Sequence, residues 1–98
     1  MTELERVFRR NDNFVHRRIE GETILVPIRS NVGDLDHIYS LNEVGAFIWN
    51  AFDGSKDLGE IKALLASEYQ VNDSEAEADL LSFVRELEEI DAAVPVAR

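Results

Sequence analysis

The fold is decided by the stretch Ile38-Tyr39-Ser40-Leu41-Asn42-Glu43-Val44-Gly45-Ala46-Phe47-Ile48-Trp49-Asn50. Its first part alternates in side-chain character, which predicts a short strand over His37 to Leu41. Beyond that point apolar residues recur at helical spacing, which predicts a helix from about Glu43 to Phe52. Asn42 lies between the two and is a natural N-cap. The stretch therefore predicts a strand that runs directly into an apolar helix holding the only Trp.

Two more strands are predicted upstream of this junction. Phe14 to Glu20 alternates, and Thr23 to Ile28 is rich in β-branched residues. The segment Glu20-Gly21-Glu22 predicts a tight turn between them, with Gly21 able to adopt a positive φ. Residues 29–36 have the composition of a loop.

Two more helices are predicted downstream. The first helix is expected to stop at Gly54, a good C-cap. A second helix begins at Asp57, which with Glu60 forms a capping-box pattern. A third begins at Asp73 or Ser74, and Ser74 forms the same pattern with Glu77.

Strands that precede helices predict an α+β fold. The expected architecture is winged-helix-like, with three short N-terminal antiparallel β-strands followed by a three-helix bundle. Residues 1–12 are expected to form a mobile N-terminal arm, residues 13–94 the folded domain, and residues 95–98 a C-terminal tail.

Composition narrows the classes of function. The chain has 98 residues, no cysteine and a net charge of −10. Without cysteine there is no disulfide framework and no zinc–thiolate site. No stretch of the sequence predicts a membrane span or a cleavable targeting signal, so we expect a cytoplasmic protein that does not bind membranes.

No catalytic constellation is predicted. The two histidines, His16 and His37, are isolated, and no glycine-rich phosphate loop or serine elbow occurs. Asp79 is expected to be an exposed helical acid and Trp49 to lie at the edge of the core. We therefore expect a non-enzyme with no cofactor and no metal.

A binding module is the better class. A small sheet has an open edge, and such an edge can accept a further strand. The predicted strand over His37 to Leu41 adjoins the helices, so a peptide laid along it would reach a groove beside the third helix. We expect Leu81 to line that groove, and an acidic rim would favour a peptide with positive charge.

Several motifs resemble the PqqD family. The run Tyr39-Ser40-Leu41-Asn42-Glu43-Val44-Gly45-x-x-Ile48-Trp49, followed by Asp53-Gly54, is similar to the signature of that family. Later segments, Glu60-Ile61, Glu68-Tyr69-x-Val71 and Ala78-Asp79-Leu80-x-x-Phe83-x-x-Glu86-Leu87, follow in the family's order. The resemblance spans about residues 12 to 94, and the chain departs from it at Ala92-Ala93-Val94.

The resemblance implies a non-catalytic peptide chaperone. Such a protein binds the leader of a ribosomally made precursor peptide by strand addition and presents it to a modifying enzyme, typically a radical S-adenosylmethionine (SAM) protein that carries its own iron–sulfur clusters. It would act as a monomer or a weak homodimer. Carried onto this chain, the candidate peptide-binding residues are His37, Ile38, Tyr39, Ser40, Leu41, Asp79, Leu80, Leu81, Phe83, Val84, Arg85 and Leu87.

Two alternatives stay open. One is a winged-helix regulator that binds DNA. The segment from Asp73 to Asp91 carries eight acids and, as its only basic residue, Arg85. This negative charge opposes contacts with phosphates, so we expect no nucleic-acid partner. The other is a structural or assembly subunit that uses the open edge to dimerise.

Overall fold

A computed structural model of the chain describes residues 3–28 and 39–97. Within these residues the fold is α+β, with antiparallel sheets and three helices. A short 3-10 turn at Glu3–Glu5 precedes the first strand. The strands are β1 (Val7–Arg10), β2 (Phe14–Ile19), β3 (Glu22–Pro27), β4 (Tyr39–Leu41), β5 (Asp53–Asp57) and β6 (Ala93–Val96). The helices are α1 (Glu43–Ala51), α2 (Leu58–Tyr69) and α3 (Asp73–Glu89).

The strands form two sheets. The hairpin sheet has the order β2-β3-β4, and the terminal sheet has the order β5-β1-β6. All pairings in both sheets are antiparallel. The hairpin sheet contains the three strands expected from the sequence. Of the expected third strand, Tyr39–Leu41 is observed, and His37 and Ile38 lie outside the described residues.

The terminal sheet corrects the expected plan of three strands followed by three helices. Its central strand is β1, which lies in the segment expected to be a mobile arm. Phe8 is fully buried and Val7 nearly so. Arg6 holds the same segment to α3 through an ion pair of 3.0 Å with Glu88, and its guanidinium lies 4.6 Å from the centre of the Phe8 ring. Residues 7–10 are therefore part of the folded domain, and Val7 and Phe8 are part of its core.

The other two strands of this sheet were not predicted. The segment Asp53–Asp57 is polar, yet it pairs with β1 as β5. Gly54 has a φ of +84° inside that strand, so it is not the C-cap of α1, which is Phe52. The strand β6 includes Pro95 and Val96, which were expected to belong to a C-terminal tail. It lies at a sheet edge, where the missing N–H of Pro95 is tolerated.

Of the three predicted helix N-caps, two are confirmed and one is wrong. The Asn42 side chain accepts a hydrogen bond of 2.7 Å from the Gly45 N–H and caps α1, as expected. The capping box of Asp57 and Glu60 at α2 is also confirmed. The predicted box of Ser74 and Glu77 is wrong, because Asn72 caps α3 by accepting from the Glu75 N–H at 2.8 Å.

The core lies where α1, α2 and α3 meet the two sheets, and Trp49 is part of it. Only 1% of this residue is exposed, so it lies within the core and not at its edge. Its indole N–H donates to Nδ1 of His16 on β2 at 3.2 Å, which joins α1 to the hairpin sheet. The buried side chains of the main cluster are Phe8, Leu25, Leu41, Ile48, Trp49, Phe52, Leu58, Ile61, Leu65, Ala76, Leu80, Val84, Leu87, Ala92 and Ala93.

Candidate functional site

The direction of the hydrogen bonds in the hairpin sheet is fixed by the turn between β2 and β3. Glu20 and Gly21 form a two-residue turn and both have positive φ, at +51° and +83°. In such a hairpin the pair that flanks the turn, here Ile19 and Glu22, exchanges backbone hydrogen bonds, and every second pair does the same. The bond of 2.6 Å from the Ile28 N–H to the Asn13 carbonyl continues this alternation.

This alternation shows which backbone groups of β4 are open. Since Ile24 directs its N–H and C=O toward β2, its neighbours Thr23 and Leu25 direct theirs toward β4. Thr23 is paired with Leu41 and Leu25 with Tyr39. Ser40 lies between those two residues of β4, so its N–H and C=O point away from β3. Within residues 3–28 and 39–97, β4 is the last strand of the sheet, so Ser40 presents there a donor and an acceptor without a partner at an open edge.

A groove runs between this edge and α3. Four residues of α3 at helical spacing form its far wall, namely Asp79, Ser82, Phe83 and Glu86. One hollow of about 280 Å³ lies between these residues and the start of α1. A second hollow of about 390 Å³ lies between Phe83, Glu86 and β4 itself. The groove is therefore continuous from the open edge to the first turn of α1.

Gly45 sets how closely α1 approaches this groove. A Cβ at position 45 would lie 3.1 Å from Cε1 of Phe83 and 3.3 Å from Oδ1 of Asn42. Both distances are tighter than ordinary contacts, so a side chain there would displace the Phe83 ring. Phe83 contributes to both hollows, and its position depends on the absence of a side chain at Gly45.

Tyr39 bridges the groove. Its hydroxyl donates a hydrogen bond of 2.5 Å to Oε2 of Glu86 and so links β4 to α3. This bond, together with partial burial and the charges of Glu86 and Glu89, raises the pKa of Tyr39 to about 12. The phenol is therefore neutral, and an effective donor, throughout the physiological pH range.

The groove is acidic. Asp79 and Glu86 are among the residues that line its two hollows, and no Lys or Arg of the described chain is. The remaining lining residues are Tyr39, Ser40, Leu41, Asn42, Val44, Gly45, Ile48, Ser82 and Phe83. Apolar surface below and carboxylates at the rim suit a chain segment that combines aliphatic or aromatic side chains with positive charge.

The structure divides the residues predicted for this site. It brings together Tyr39, Ser40, Leu41, Asp79 and Phe83 around the groove. His37 and Ile38 lie outside the described residues.

Three of the helical residues predicted for the site are buried. Leu80, Val84 and Leu87 are fully buried, so they support the groove from below and offer no surface to a ligand. Leu81 is also misplaced, since it packs against the core, and Arg85 is exposed but does not line the groove. The prediction treated a whole stretch of α3 as one surface, whereas only one helical face of it meets β4.

Six residues of the groove were not predicted, and they are Asn42, Val44, Gly45, Ile48, Ser82 and Glu86. Ser82 and Glu86 carry a signal that the sequence does contain. They lie three and seven residues after Asp79, on the same helical face as Phe83. Gly45 gives no such signal, because its role depends on how closely α1 and α3 pack.

Within residues 3–28 and 39–97, no group of three or more His, Cys, Asp or Glu side chains is arranged to hold a metal ion. In the same part of the chain no helix is long and apolar enough to cross a bilayer.

The fold and the groove define a small α+β domain with an open strand edge beside an acidic helix. Residues 22–91 match the sequence model of coenzyme PQQ synthesis protein D (PqqD), and the chain belongs to the PqqD family. The solved structure of TbiB1 in complex with the TbiA(β) leader peptide is similar to this chain, with a TM-score of 0.71 and 26% sequence identity. That similarity covers 92% of this chain and 99% of TbiB1. Among curated proteins, none matches the chain.

Proposed function

We propose that this protein is a peptide chaperone that binds the leader of a ribosomally made precursor peptide by adding it to β4. The open backbone of Ser40 beside the groove is the observation that carries the proposal. Membership of the PqqD family and the similarity to TbiB1, which was solved with a leader peptide, support it.

The geometry defines how a peptide would bind. An added strand pairs its backbone with Ser40, and its alternate side chains point toward the groove. Two such side chains, two positions apart, would occupy the two hollows beside Phe83. Lys or Arg near them would meet Asp79 or Glu86. We therefore expect the cognate leader to combine apolar residues at alternate positions with at least one basic residue.

The proposal also covers the enzyme that receives the leader, the cellular location and the extent of the peptide-binding domain. We infer that the chaperone is itself non-catalytic, works in the cytoplasm and presents the leader to a modifying enzyme of the radical SAM type. The peptide-binding domain is proposed to be winged-helix-like and to include, besides residues 13–94, the strands β1 and β6 that complete its core.

Of the alternatives, DNA binding is disfavoured by charge. The helix α3 carries seven acidic residues and only Arg85, which opposes approach to phosphates. Dimerisation through β4 would use the same Ser40 edge as the peptide. A protein that dimerises there would show peptide binding that competes with self-association. A peptide chaperone that does not dimerise would show no self-association.

The experiment is a titration of the ¹⁵N-labelled protein with the synthetic leader of any short precursor that is found encoded beside its gene. Shifts are expected at Tyr39–Leu41 and at the groove face of α3, with Arg85 as an internal control that does not shift. A leader of the same composition in scrambled order should not bind. Shifts confined to the terminal sheet would overturn the proposal, and sedimentation over a concentration range tests for dimers.

A further inference from the structure

The acids of α3 differ in whether another side chain already binds them. The helix contains seven acidic residues, and Arg85 is its only basic residue. Four of these acids bind a basic or hydroxyl side chain of residues 3–28 and 39–97, and they are Asp73, Glu77, Glu86 and Glu88. The other three form no ion pair within the same part of the chain, and they are Glu75, Asp79 and Glu89. Of these three, only Asp79 lines the groove.

Asp79 therefore offers an available carboxylate at the first hollow of the groove, the one of about 280 Å³. No basic side chain of the described residues lines that hollow, and Arg85 lies on a neighbouring face of α3. The first turn of α1 also borders the hollow, and its N–H groups carry partial positive charge. That charge is offset, because the Asn42 side chain accepts from the Gly45 N–H and Glu43 lies in the same turn. A ligand in this hollow therefore meets negative charge.

The same hollow also offers apolar surface. Three apolar side chains line it beside Asp79, and they are Val44, Ile48 and Phe83. The hydrocarbon stem of a Lys or Arg can pack on such surface while its charged end reaches the carboxylate. A purely apolar side chain would instead remove water from the Asp79 carboxylate without replacing its hydrogen bonds, which costs free energy. The first hollow therefore favours a long basic side chain over an aliphatic one of similar size.

The second hollow, of about 390 Å³, differs in this respect. It lies between β4, Phe83 and Glu86. Glu86 is the only charged residue among the described residues that line it, and its carboxylate already accepts the hydrogen bond from Tyr39. An apolar side chain is therefore opposed less strongly here than beside Asp79.

We propose that the leader places an apolar residue in the second hollow and, two positions away, a Lys or Arg in the first hollow, where it binds Asp79. The inference rests on the proposed leader binding at Ser40. Phe83 borders both hollows, and alternate residues of an added strand point to the same side, which sets the spacing. Asp79 is then the residue that selects the leader by charge, whereas Glu86 positions Tyr39.

The test is a selection on the immobilised protein from a displayed library of random peptides of about ten residues, the upper length of a typical strand. Selected peptides are expected to share an apolar residue and, two positions away, a Lys or Arg. A selection on Asp79→Lys should replace that basic residue by Asp or Glu. Glu68→Lys is the matched control, because it makes the same charge change on α2 outside the groove. It should select the same peptides as the wild type.

One selected peptide then serves as the probe for affinity measurements. Replacing its basic residue by Gln, or Asp79 by Asn, should weaken binding about fivefold in each case. The two changes together should cost little more than either alone, because both remove the same contact. Glu86→Gln should weaken binding less than Asp79→Asn. Thermal melts check that every variant is folded.

The possible failures can be told apart. If no peptide is selected, or if folded Ser40→Pro binds the selected peptides like the wild type, the proposed strand addition fails and this inference fails with it. If binding depends on Ser40 but the selected peptides share no basic residue, only the inference about Asp79 fails. Losses that add in the double change, or an equal loss in Glu86→Gln, would likewise overturn the assignment to Asp79.

Discussion

Tyr39 on β4 and Glu86 on α3 are joined across the groove by a hydrogen bond of 2.5 Å. The two residues belong to elements that are far apart in sequence, and each forms part of the wall on its own side. The bond therefore sets the distance between the strand edge and the helix, and with it the width available to a bound peptide.

Replacing Tyr39 by Phe removes this bond and keeps the ring. We expect a loss of about 1 kcal/mol in the free energy of unfolding near neutral pH, because the site is partly exposed to water. Urea denaturation of both proteins measures the difference. Glu86→Gln, which keeps an acceptor for the Tyr39 hydroxyl, should lose less than Tyr39→Phe, and equal losses would contradict the assignment.

The same bond predicts a dependence on pH. Folding raises the pKa of Tyr39 from its ordinary value of 10.0 to about 12, so the folded state holds the phenolic proton more tightly than the unfolded state. Its stabilising contribution is complete below pH 10 and is lost as the pH rises toward 12. The stability difference between wild type and Tyr39→Phe should shrink over that window. Comparing the two proteins also cancels the contribution of Tyr69, whose pKa is raised by burial.

Ser40 provides a test of strand addition. Ser40→Pro deletes the outward N–H, while the bonds of β3 to Tyr39 and Leu41 are kept. We expect leader binding to weaken about tenfold or more, with the thermal midpoint little changed. Ser40→Ala keeps the N–H and should bind like the wild type. Equal affinity of a folded Ser40→Pro protein would show that the peptide does not pair with this edge.

Gly45 provides a test of groove shape. Alanine normally stabilises a helix relative to glycine, but here its Cβ would press on Phe83, so the two effects oppose each other. We expect Gly45→Ala to change stability by less than about 1 kcal/mol and to weaken leader binding by displacing the ring. Adding Phe83→Leu relieves the contact, so the double variant should show non-additive stabilities in a double-mutant cycle.

The bond between Trp49 and His16 is a further test of the core. His16→Leu leaves the buried indole N–H without an acceptor and should cost roughly 1–3 kcal/mol. His16→Asn retains an acceptor and should cost less. Since Trp49 is the only Trp, its fluorescence reports directly on this site during urea denaturation. Equal losses in the two variants would show that the hydrogen bond does not contribute.

The hairpin sheet and α1 could be predicted because their signals are local. The turn at Glu20-Gly21 and the cap at Asn42 depend only on neighbouring residues. The same holds for the capping box at Asp57. At α3 the local pattern of Ser74 and Glu77 misled the prediction, because the cap is Asn72, two residues earlier.

The terminal sheet could not be predicted because its strands depend on one another. Asp53–Asp57 is polar and has no alternation, and it becomes a strand only through pairing with β1. The central strand β1 itself is half arginine, so Phe8 gave too little signal on its own. These are cases in which long-range pairing outweighs local propensity.

The groove was predicted only in part, because part of it also depends on long-range packing. The strand edge at Tyr39–Leu41 and the choice of α3 were expected, but which face of α3 meets the edge depends on packing. Leu80, Val84 and Leu87 were therefore placed in a surface that they support from within. Residues at helical spacing from Asp79, namely Ser82, Phe83 and Glu86, form with it the observed wall of the groove.

The position of β1 between β5 and β6 has a consequence for synthesis of the chain on the ribosome. Val7 is paired with Val96, so β1 has to wait until β6 has been made before its sheet is complete. Until then Phe8 has no finished core to enter, and the nascent chain exposes it. We expect arrested chains that stop before residue 93 to be sensitive to protease and chains that include β6 to be resistant. The hairpin turn at Glu20-Gly21, in contrast, can form as soon as its own residues are made.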